Sequence, residues 1–200
     1  MDDIVRQAMA KWPNVPHCFG WLMLDARGNW RMRDERAQHL GLPGDKINHQ
    51  TLLGFINRNY MHDTDGRWYF QNGPQRVYVD LEITPYVVRT DPTAGFLLHT
   101  GMALSTPSQA WLTQEGRLLL EAGKVIAVLD DRDAAGVLAT LVLNGATASD
   151  EQIMAWFEGE HRGALSLPHA GQPLVLQWTS AENLAKQFDF VAQPRAAPTT

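Results

Sequence analysis

The sequence has a single cysteine, no long apolar run and no excess of basic residues. Cys18 alone cannot form an intramolecular disulfide, which is typical of a chain that folds in a reducing compartment. The longest mostly apolar stretches, such as 125–129 and 137–143, are too short to span a bilayer. The chain starts with acidic residues, Asp2 and Asp3, where a secretory signal would be basic. We therefore expect a soluble, cytoplasmic protein that makes no membrane contact.

The sequence also lacks the charge that nucleic-acid binding requires. Its formal net charge is −5, and the acidic excess lies in the second half of the chain. Nonspecific binding to nucleic acid depends on a concentrated basic surface that neutralises phosphates. The composition therefore argues against a nucleic-acid partner.

Complete catalytic and cofactor motifs are absent as well. No G-x-G-x-x-G segment follows a strand pattern, and Gly123-Lys124 is not followed by the Ser or Thr of a phosphate-binding loop. The seven histidines show no H-E-x-x-H spacing, and no G-x-S-x-G segment occurs. The sequence therefore predicts no catalytic residue, no metal-ligating set and no cofactor.

What the sequence does contain is a series of strand and turn patterns. Residues 75–83 alternate between apolar and polar side chains, and Asn72-Gly73 before them is a strong hairpin turn. Hairpin patterns also cover 19–33, 86–99 and 111–121, while helical spacing of apolar residues follows Asp2 and recurs at 51–60 and after Ser149. These patterns predict a strand-rich α+β fold of antiparallel hairpins with a few short helices.

The two halves of the chain show a similar order of patterns. Each reads hairpin, helix, hairpin, at an offset of roughly 90 to 100 residues. Internal duplication explains this likeness, and so does the frequency of hairpins in any α+β protein, so both explanations stay open. We predict an N-terminal lobe over 1–100, a C-terminal lobe over 101–191 and a disordered tail over 192–200, because the tail has few apolar residues.

Residues 65–88 carry a resemblance to a known family. The stretch has a Gly-aromatic strand (65–70), a proline turn before Arg76, an alternating strand that ends near Glu82, and then Pro85-Tyr86. In this order of elements it resembles domain of unknown function 1285, an uncharacterised bacterial family. The resemblance covers about two dozen residues. It implies a bacterial, non-secreted α+β protein and implies no activity.

The polar side chains of the alternating strand are the candidate binding site. Arg76, Tyr78, Asp80 and Glu82 share one face, which the alternation predicts to be wet. Cross-strand ion pairs account for such a face, but an arginine beside a tyrosine can also bind an anionic or planar ligand. We predict that Arg76, Tyr78 and Glu82 bind a ligand. The favoured function is a non-enzymatic ligand-binding or regulatory protein that contacts an unknown small ligand or protein through this face or a groove between the halves.

Two other functions remain open at this stage. Asp130, Asp131 and Asp133 follow a buried strand, where carboxylates can hold a divalent metal ion in an enzyme, although the same residues are ordinary helix-capping groups. The third hypothesis is an assembly module that pairs through strand edges and tryptophans, with a homodimer as one form of it.

Overall fold

The computed structural model describes residues 1–160, 163–169 and 172–196. The chain divides into two compact units: the first contains Met1–Pro85 with the chain from Ala185 onward, and the second contains Tyr86–Leu184. The sequence-based boundary between residues 100 and 101 falls inside the second unit, after the first hairpin of that unit. The α+β fold class, rich in strands and hairpins, is confirmed.

The first unit is built on one sheet. Its helices are α1 (Asp3–Lys11), α2 (Glu35–His39) and α3 (Gln50–Arg58). Its strands are β1 (Cys18–Leu24), β2 (Trp30–Met32), β3 (Asp45–Lys46), β4 (Tyr60–His62), β5 (Trp68–Asn72) and β6 (Gln75–Leu81). They form a six-stranded sheet in the order β3-β2-β1-β6-β5-β4, in which only the central pair β1 and β6 is parallel among the described strands.

One face of this sheet forms the core of the first unit. Leu22 of β1 and Val79 of β6 are partners across the parallel pair, and both are buried. Phe70 of β5 meets Phe55 of α3 edge to face, with ring centroids 5.4 Å apart. The apolar stripe of α3 therefore covers the apolar face of the sheet, as its helical spacing predicts.

The second unit contains the larger sheet. Its helices are α4 (Asp131–Leu138) and α5 (Asp150–Phe157), and a 3-10 turn (Ala181–Asn183) and α6 (Leu184–Gln187) follow. The boundary between the units lies in α6, because Leu184 belongs to the second unit and Ala185 to the first. Its strands are β7 (Tyr86–Asp91), β8 (Gly95–Leu98), β9 (Gln109–Thr113), β10 (Leu118–Ala122), β11 (Val125–Leu129), β12 (Val142–Leu143), β13 (Ala146–Thr147), β14 (Leu165–Leu167) and β15 (Leu174–Thr179).

The strands of the second unit pair in the order β13-β12-β14-β15-β9-β10-β11-β7-β8. Two pairs are parallel, β15 with β9 and β11 with β7. Leu112, Leu119 and Leu120 on the central strands are fully buried. The near-continuous apolar composition of β10 and β11 follows from this burial, since strands covered on both faces need no polar side.

The same strand order occurs in both units. The series β3-β2-β1-β6-β5 in the first sheet corresponds to β11-β10-β9-β15-β14 in the second. In each series the strand that comes first in the sequence pairs in parallel with the strand that comes last: β1 with β6, and β9 with β15. A helix precedes the last hairpin in both, beginning at Gln50 in the first unit and at Asp150 in the second. The likeness noted in the sequence therefore extends to strand pairing.

Helix starts follow local capping chemistry. Ser149 forms a capping box with Gln152 at the start of α5, and Asp130 accepts a hydrogen bond from the Arg132 N–H at the start of α4. Asp2 occupies the corresponding position before α1, but its carboxylate makes no capping hydrogen bond. Its Oδ1 instead accepts a hydrogen bond from Arg58 Nε at 3.3 Å. None of the helices in the described ranges combines the length and the apolar composition that a bilayer span requires.

The C-terminal chain departs from the sequence-based expectation. The strand predicted over 188–191 is wrong, because Val191 makes only an isolated bridge to Arg67. Residues 192–196, the described part of the predicted disordered tail, include Ala192, whose carbonyl accepts the Leu81 N–H at 2.7 Å. Residues 197–200 lie outside the described residues, as do two residues of the turn predicted over 169–172. Leu81 lies beyond the part of β6 that pairs with β5, so the Ala192 carbonyl satisfies a backbone N–H that β5 does not reach.

Candidate functional site

Tyr78 of β6 is the centre of the candidate site. It lies directly opposite Tyr69 of β5, so the two rings share a face of the sheet, with centroids 5.6 Å apart. Phe19 of β1 stacks on Tyr78 from the other side, at 4.6 Å and nearly parallel. Tyr78 is consequently only 2% exposed. We call His17, Phe19, Tyr69, Arg76 and Tyr78 the Tyr78 cluster.

The predicted wet face is therefore wrong at its centre. Tyr78 and Asp80 are both buried, at 2% and 3% exposure. Phe19 covers the first, and the guanidinium groups of Arg33 and Arg195 contact the second. Alternation along a strand separates two faces, but it does not say whether a second layer of chain covers the polar one.

Asp63 anchors the hydroxyl of Tyr78. Its carboxylate accepts the Tyr78 O–H at 3.0 Å, Arg67 Nε at 2.9 Å, and the backbone N–H groups of Asp65 and Arg67 at 3.0 Å each. Burial on its own would raise the pKa of Asp63, but these hydrogen bonds together hold the pKa below its ordinary value. The carboxylate thus stays ionised and keeps the Tyr78 hydroxyl in its donor role.

The two arginines beside this aromatic group have different partners. Arg67 forms ion pairs with Asp63 and Asp65, each at 2.9 Å. Arg76 lies 4.6 Å above the ring of Tyr69 and forms no ion pair within the described residues. A hydrogen bond with the Tyr78 side chain is the main cause that raises the pKa of Arg76. Arg76 is thus a half-buried cation, held by aromatic contacts and not neutralised by a carboxylate.

His17 completes the cluster at the surface. Its exposed ring meets Tyr78 edge to face, with centroids 5.8 Å apart. Partial burial lowers the pKa of His17, and the positive charges of Arg76 and Arg67 lower it further, against the opposing effect of Asp63. Burial and the two arginines therefore act together to favour the neutral form of the His17 ring.

Glu82, the third predicted site residue, is not brought into this cluster. It lies four positions beyond Tyr78, a distance of about 13 Å along an extended strand. Its carboxylate accepts the Ala26 N–H at 2.8 Å, which ties it to the β1–β2 turn. The structure therefore brings Arg76 and Tyr78 together and leaves Glu82 in a turn contact.

The three aspartates considered as a metal site have other partners. Asp130 is fully buried and forms an ion pair with Arg132, and Asp133 accepts hydrogen bonds from the Thr90 N–H at 2.7 Å and the Thr90 hydroxyl at 3.0 Å. In the described ranges, no group of three or more His, Cys, Asp or Glu side chains could hold a metal ion. The geometry thus gives no support to the metal-assisted alternative.

Sequence reasoning missed most of the residues that surround Tyr78. His17 and Phe19 precede the predicted first hairpin or lie at its start, and nothing local indicates that β1 pairs with β6. The turn around Asp63 did carry a signal: Asp63 and Gly66 repeat the spacing of Asp25 and Gly28, and in both turns the aspartate accepts two backbone N–H groups. That turn chemistry fixes the carboxylate that then meets Tyr78.

Comparison with known proteins gives a family and no activity. A search of curated proteins found no match for the chain. A crystal structure of a DUF1285 family protein from Silicibacter pomeroyi is similar, with a TM-score of 0.49 and 14% sequence identity over 88% of this chain and 96% of that chain. The expectation of an uncharacterised family is confirmed, because one family model matches residues 1–195. The chain belongs to the family described as protein of unknown function (DUF2946).

Proposed function

We propose that this protein binds a small anionic ligand at the Tyr78 cluster and does not catalyse its conversion. The observation that carries the proposal is the state of Arg76. Its guanidinium is half-buried over Tyr69 and has no ion-pair partner within the described residues. An arginine held in this way presents a planar set of donors that fits a carboxylate or another planar oxyanion.

The charge of the surroundings points to a ligand with a single negative charge. Arg67 is already paired with Asp63 and Asp65, so Arg76 supplies the positive charge of the cluster that no carboxylate in the described part of the chain neutralises. The lowered pKa of His17 keeps its ring neutral near pH 7, so the ring can donate or accept a hydrogen bond but adds no charge. A carboxylate matches this balance better than a phosphate dianion.

The aromatic framework supports recognition by limiting the motion of the groups involved. The parallel stack of Phe19 on Tyr78 and the bond from Tyr78 to Asp63 fix the Tyr78 ring, which packs edge to face against the Tyr69 ring below Arg76. A side chain already restrained in the free protein loses less conformational entropy when a ligand binds. Arg76 is therefore the proposed ligand contact, and Tyr78, buried beneath Phe19, supports it, while Glu82 has its structural role in the turn.

Calorimetric titration with benzoate, a planar monocarboxylate, tests the proposal. We expect wild-type protein to bind benzoate and Arg76→Ala to bind at least tenfold more weakly. Arg36→Ala removes an exposed arginine of α2 in the same unit and serves as the matched control, with unchanged affinity expected. Absence of benzoate binding to the wild type, or equal binding by Arg76→Ala, would contradict the proposal. Turnover of a substrate that depends on Arg76 would refute its non-enzymatic part.

We further place the protein in the bacterial cytoplasm and regard its two units as products of an internal duplication. The single cysteine supports the location, and the shared strand order of the two sheets supports the duplication. A homodimer stays a prediction of the same kind, supported by the exposure of Trp12, Trp21 and Trp178. Light scattering across a range of concentrations tests it, and a monomer throughout that range would refute it.

A further inference from the structure

A pocket of about 390 Å³ lies in the second unit beside α4. Its apolar lining comes from Phe96, Val137, Leu167 and Pro168, of which only the proline is exposed. Thr90, Arg132, Asp133 and Thr140 supply its polar lining. The pocket thus combines an apolar wall with polar groups that can orient a small molecule.

The position of the pocket follows from the parallel pairing of β7 and β11. Leu129 at the end of β11 is the partner of Val88 in β7, and α4 starts directly after β11. The carboxyl ends of the two strands and the first turn of α4 therefore meet at one edge of the sheet. Ligands of α/β sheets commonly bind at such edges, because the loops there leave a crevice.

The charges at the pocket are not balanced. Arg132 is bound by Asp130, which accepts from its Nε at 2.9 Å and from its Nη2. Asp133 accepts two hydrogen bonds from Thr90 through Oδ2 but has no ion-pair partner within the described ranges. The guanidinium is thus neutralised, and the half-buried carboxylate of Asp133 remains as the unpaired charge at the pocket.

Gly136 gives an independent indication that the space in this pocket is kept open. It lies inside α4, where glycine is less favourable than alanine, and it lines the pocket. Its φ is not in the left-handed region, and a Cβ built on it would meet no atom within 4 Å. Neither backbone conformation nor close packing therefore explains the glycine, whereas access of a ligand to the pocket does.

We propose that this pocket binds an organic amine with an apolar body. The protonated amine pairs with Oδ1 of Asp133, and the apolar body lies against Phe96, Val137 and Leu167. An anion would face the unpaired carboxylate of Asp133, and a zwitterion would have to displace Asp130 from Arg132 to place its carboxylate. This site lies in the second unit, so it is independent of the anion site proposed at Arg76.

Calorimetry on the full chain carrying Arg76→Ala, which disables the anion site proposed in the first unit, tests the charge with three probes of the same ring: phenethylamine as the cation, phenylalanine as the zwitterion and phenylacetate as the anion. We expect phenethylamine to bind at least tenfold more tightly than the other two. Asp133→Asn keeps an oxygen for Thr90 and should weaken phenethylamine binding at least tenfold. Tighter binding of either other probe, or unchanged binding by Asp133→Asn, would overturn the proposal.

A second variant tests the location without removing a polar group. Gly136→Leu adds a side chain in open space and improves helix propensity, so the variant should fold. Because the added side chain occupies the pocket, the variant's affinity for phenethylamine should be at least tenfold weaker than that of the wild type. Ala135→Leu introduces the same side chain at the neighbouring exposed position of α4, outside the pocket lining, and should bind as the wild type does. Equal binding by Gly136→Leu and the wild type, or no phenethylamine binding by the wild type, would overturn the proposal.

Discussion

Arg195 Nη1 donates a hydrogen bond to Asp80 Oδ1 at 2.7 Å, which links the C-terminal chain to β6. Oδ2 of the same carboxylate accepts Arg33 Nη1 at 2.5 Å. The two ion pairs differ in burial, because the side chain of Arg33 is 10% exposed and that of Arg195 is 55% exposed. Asp80 is therefore needed chiefly to neutralise Arg33.

This difference predicts unequal costs for two substitutions. Asp80→Ala leaves the Arg33 guanidinium buried without its carboxylate and should lower the free energy of unfolding by about 3 to 5 kcal/mol. Arg195→Ala removes a solvent-screened partner and should cost less than about 1 kcal/mol. Urea denaturation measures both. A loss for Arg195→Ala that equals or exceeds the loss for Asp80→Ala would contradict this ranking.

The half-buried His99 of the second unit, whose ring nitrogen Nε2 is shielded from solvent, predicts a loss of stability in acid. Burial lowers the pKa of His99 to about 3, against a smaller opposing effect of the Val87 backbone. The unfolded chain takes up this proton near pH 6.5, so stability is fully present above that pH and is lost as the pH falls toward 3. Between pH 7 and pH 5 the loss from His99 should be about 2 kcal/mol.

Urea denaturation at pH 7 and pH 5 checks this expectation. His99→Gln removes the titrating group, so the difference in unfolding free energy between the two pH values should shrink by about 2 kcal/mol. His39→Gln, at an exposed position of α2, is the matched control and should leave the difference as it is in the wild type. An unchanged difference in His99→Gln would contradict the prediction.

Two glycines should respond in opposite directions to alanine. Gly136→Ala places a methyl group in open space within α4 and should stabilise the protein by up to about 1 kcal/mol. Gly66 has φ +72°, and its Cβ would lie 2.5 Å from the Asp189 carbonyl oxygen, so Gly66→Ala should destabilise by at least about 1 kcal/mol. Thermal and urea unfolding distinguish the two. Stabilisation by Gly66→Ala would show that the turn and the Asp189 backbone adapt freely.

The hydroxyl and the ring of Tyr78 should make separate contributions to the free energy of unfolding. Tyr78→Phe removes one donor to Asp63, which keeps three others, so the cost should be about 0.5 to 1.5 kcal/mol. Tyr78→Ala also removes the buried ring between Phe19 and Tyr69 and should cost about 3 to 5 kcal/mol. Urea denaturation of both variants measures the difference. Equal losses would mean that the hydroxyl, not the ring, carries the stability.

Hairpins were the part of the fold most open to prediction from the sequence. The Asn72-Gly73 turn, the Gly28 and Gly116 turns and the Ser149 cap act through neighbouring residues, so their patterns predicted strands and helices that the structure contains. The short strands β3, β12 and β13 were missed, since two-residue pairings leave no periodic pattern. Tyr60 was assigned to a helix because its apolar spacing continued that of α3, but it begins β4.

The candidate site was only half predictable for a related reason. Arg76 and Tyr78 were identified because alternation places them on one face of one strand. Phe19, Tyr69 and Asp63 reach them from other strands and a turn, and no local spacing encodes such contacts. The pocket beside α4 escaped prediction in the same way, since Phe96 and Leu167 are far from Asp133 in the sequence.

The sequence by itself determined the strand-rich α+β class and the hairpin turns, because turn chemistry and side-chain periodicity act over a few residues. Only the tertiary structure decided that β1 and β6 pair in parallel and that the C-terminal chain returns to Asp80. These long-range contacts buried Tyr78 and Asp80 and left Arg76 without an ion-pair partner within the described residues. Which charges stay unpaired depends on what the fold brings beside them, and that information is not local.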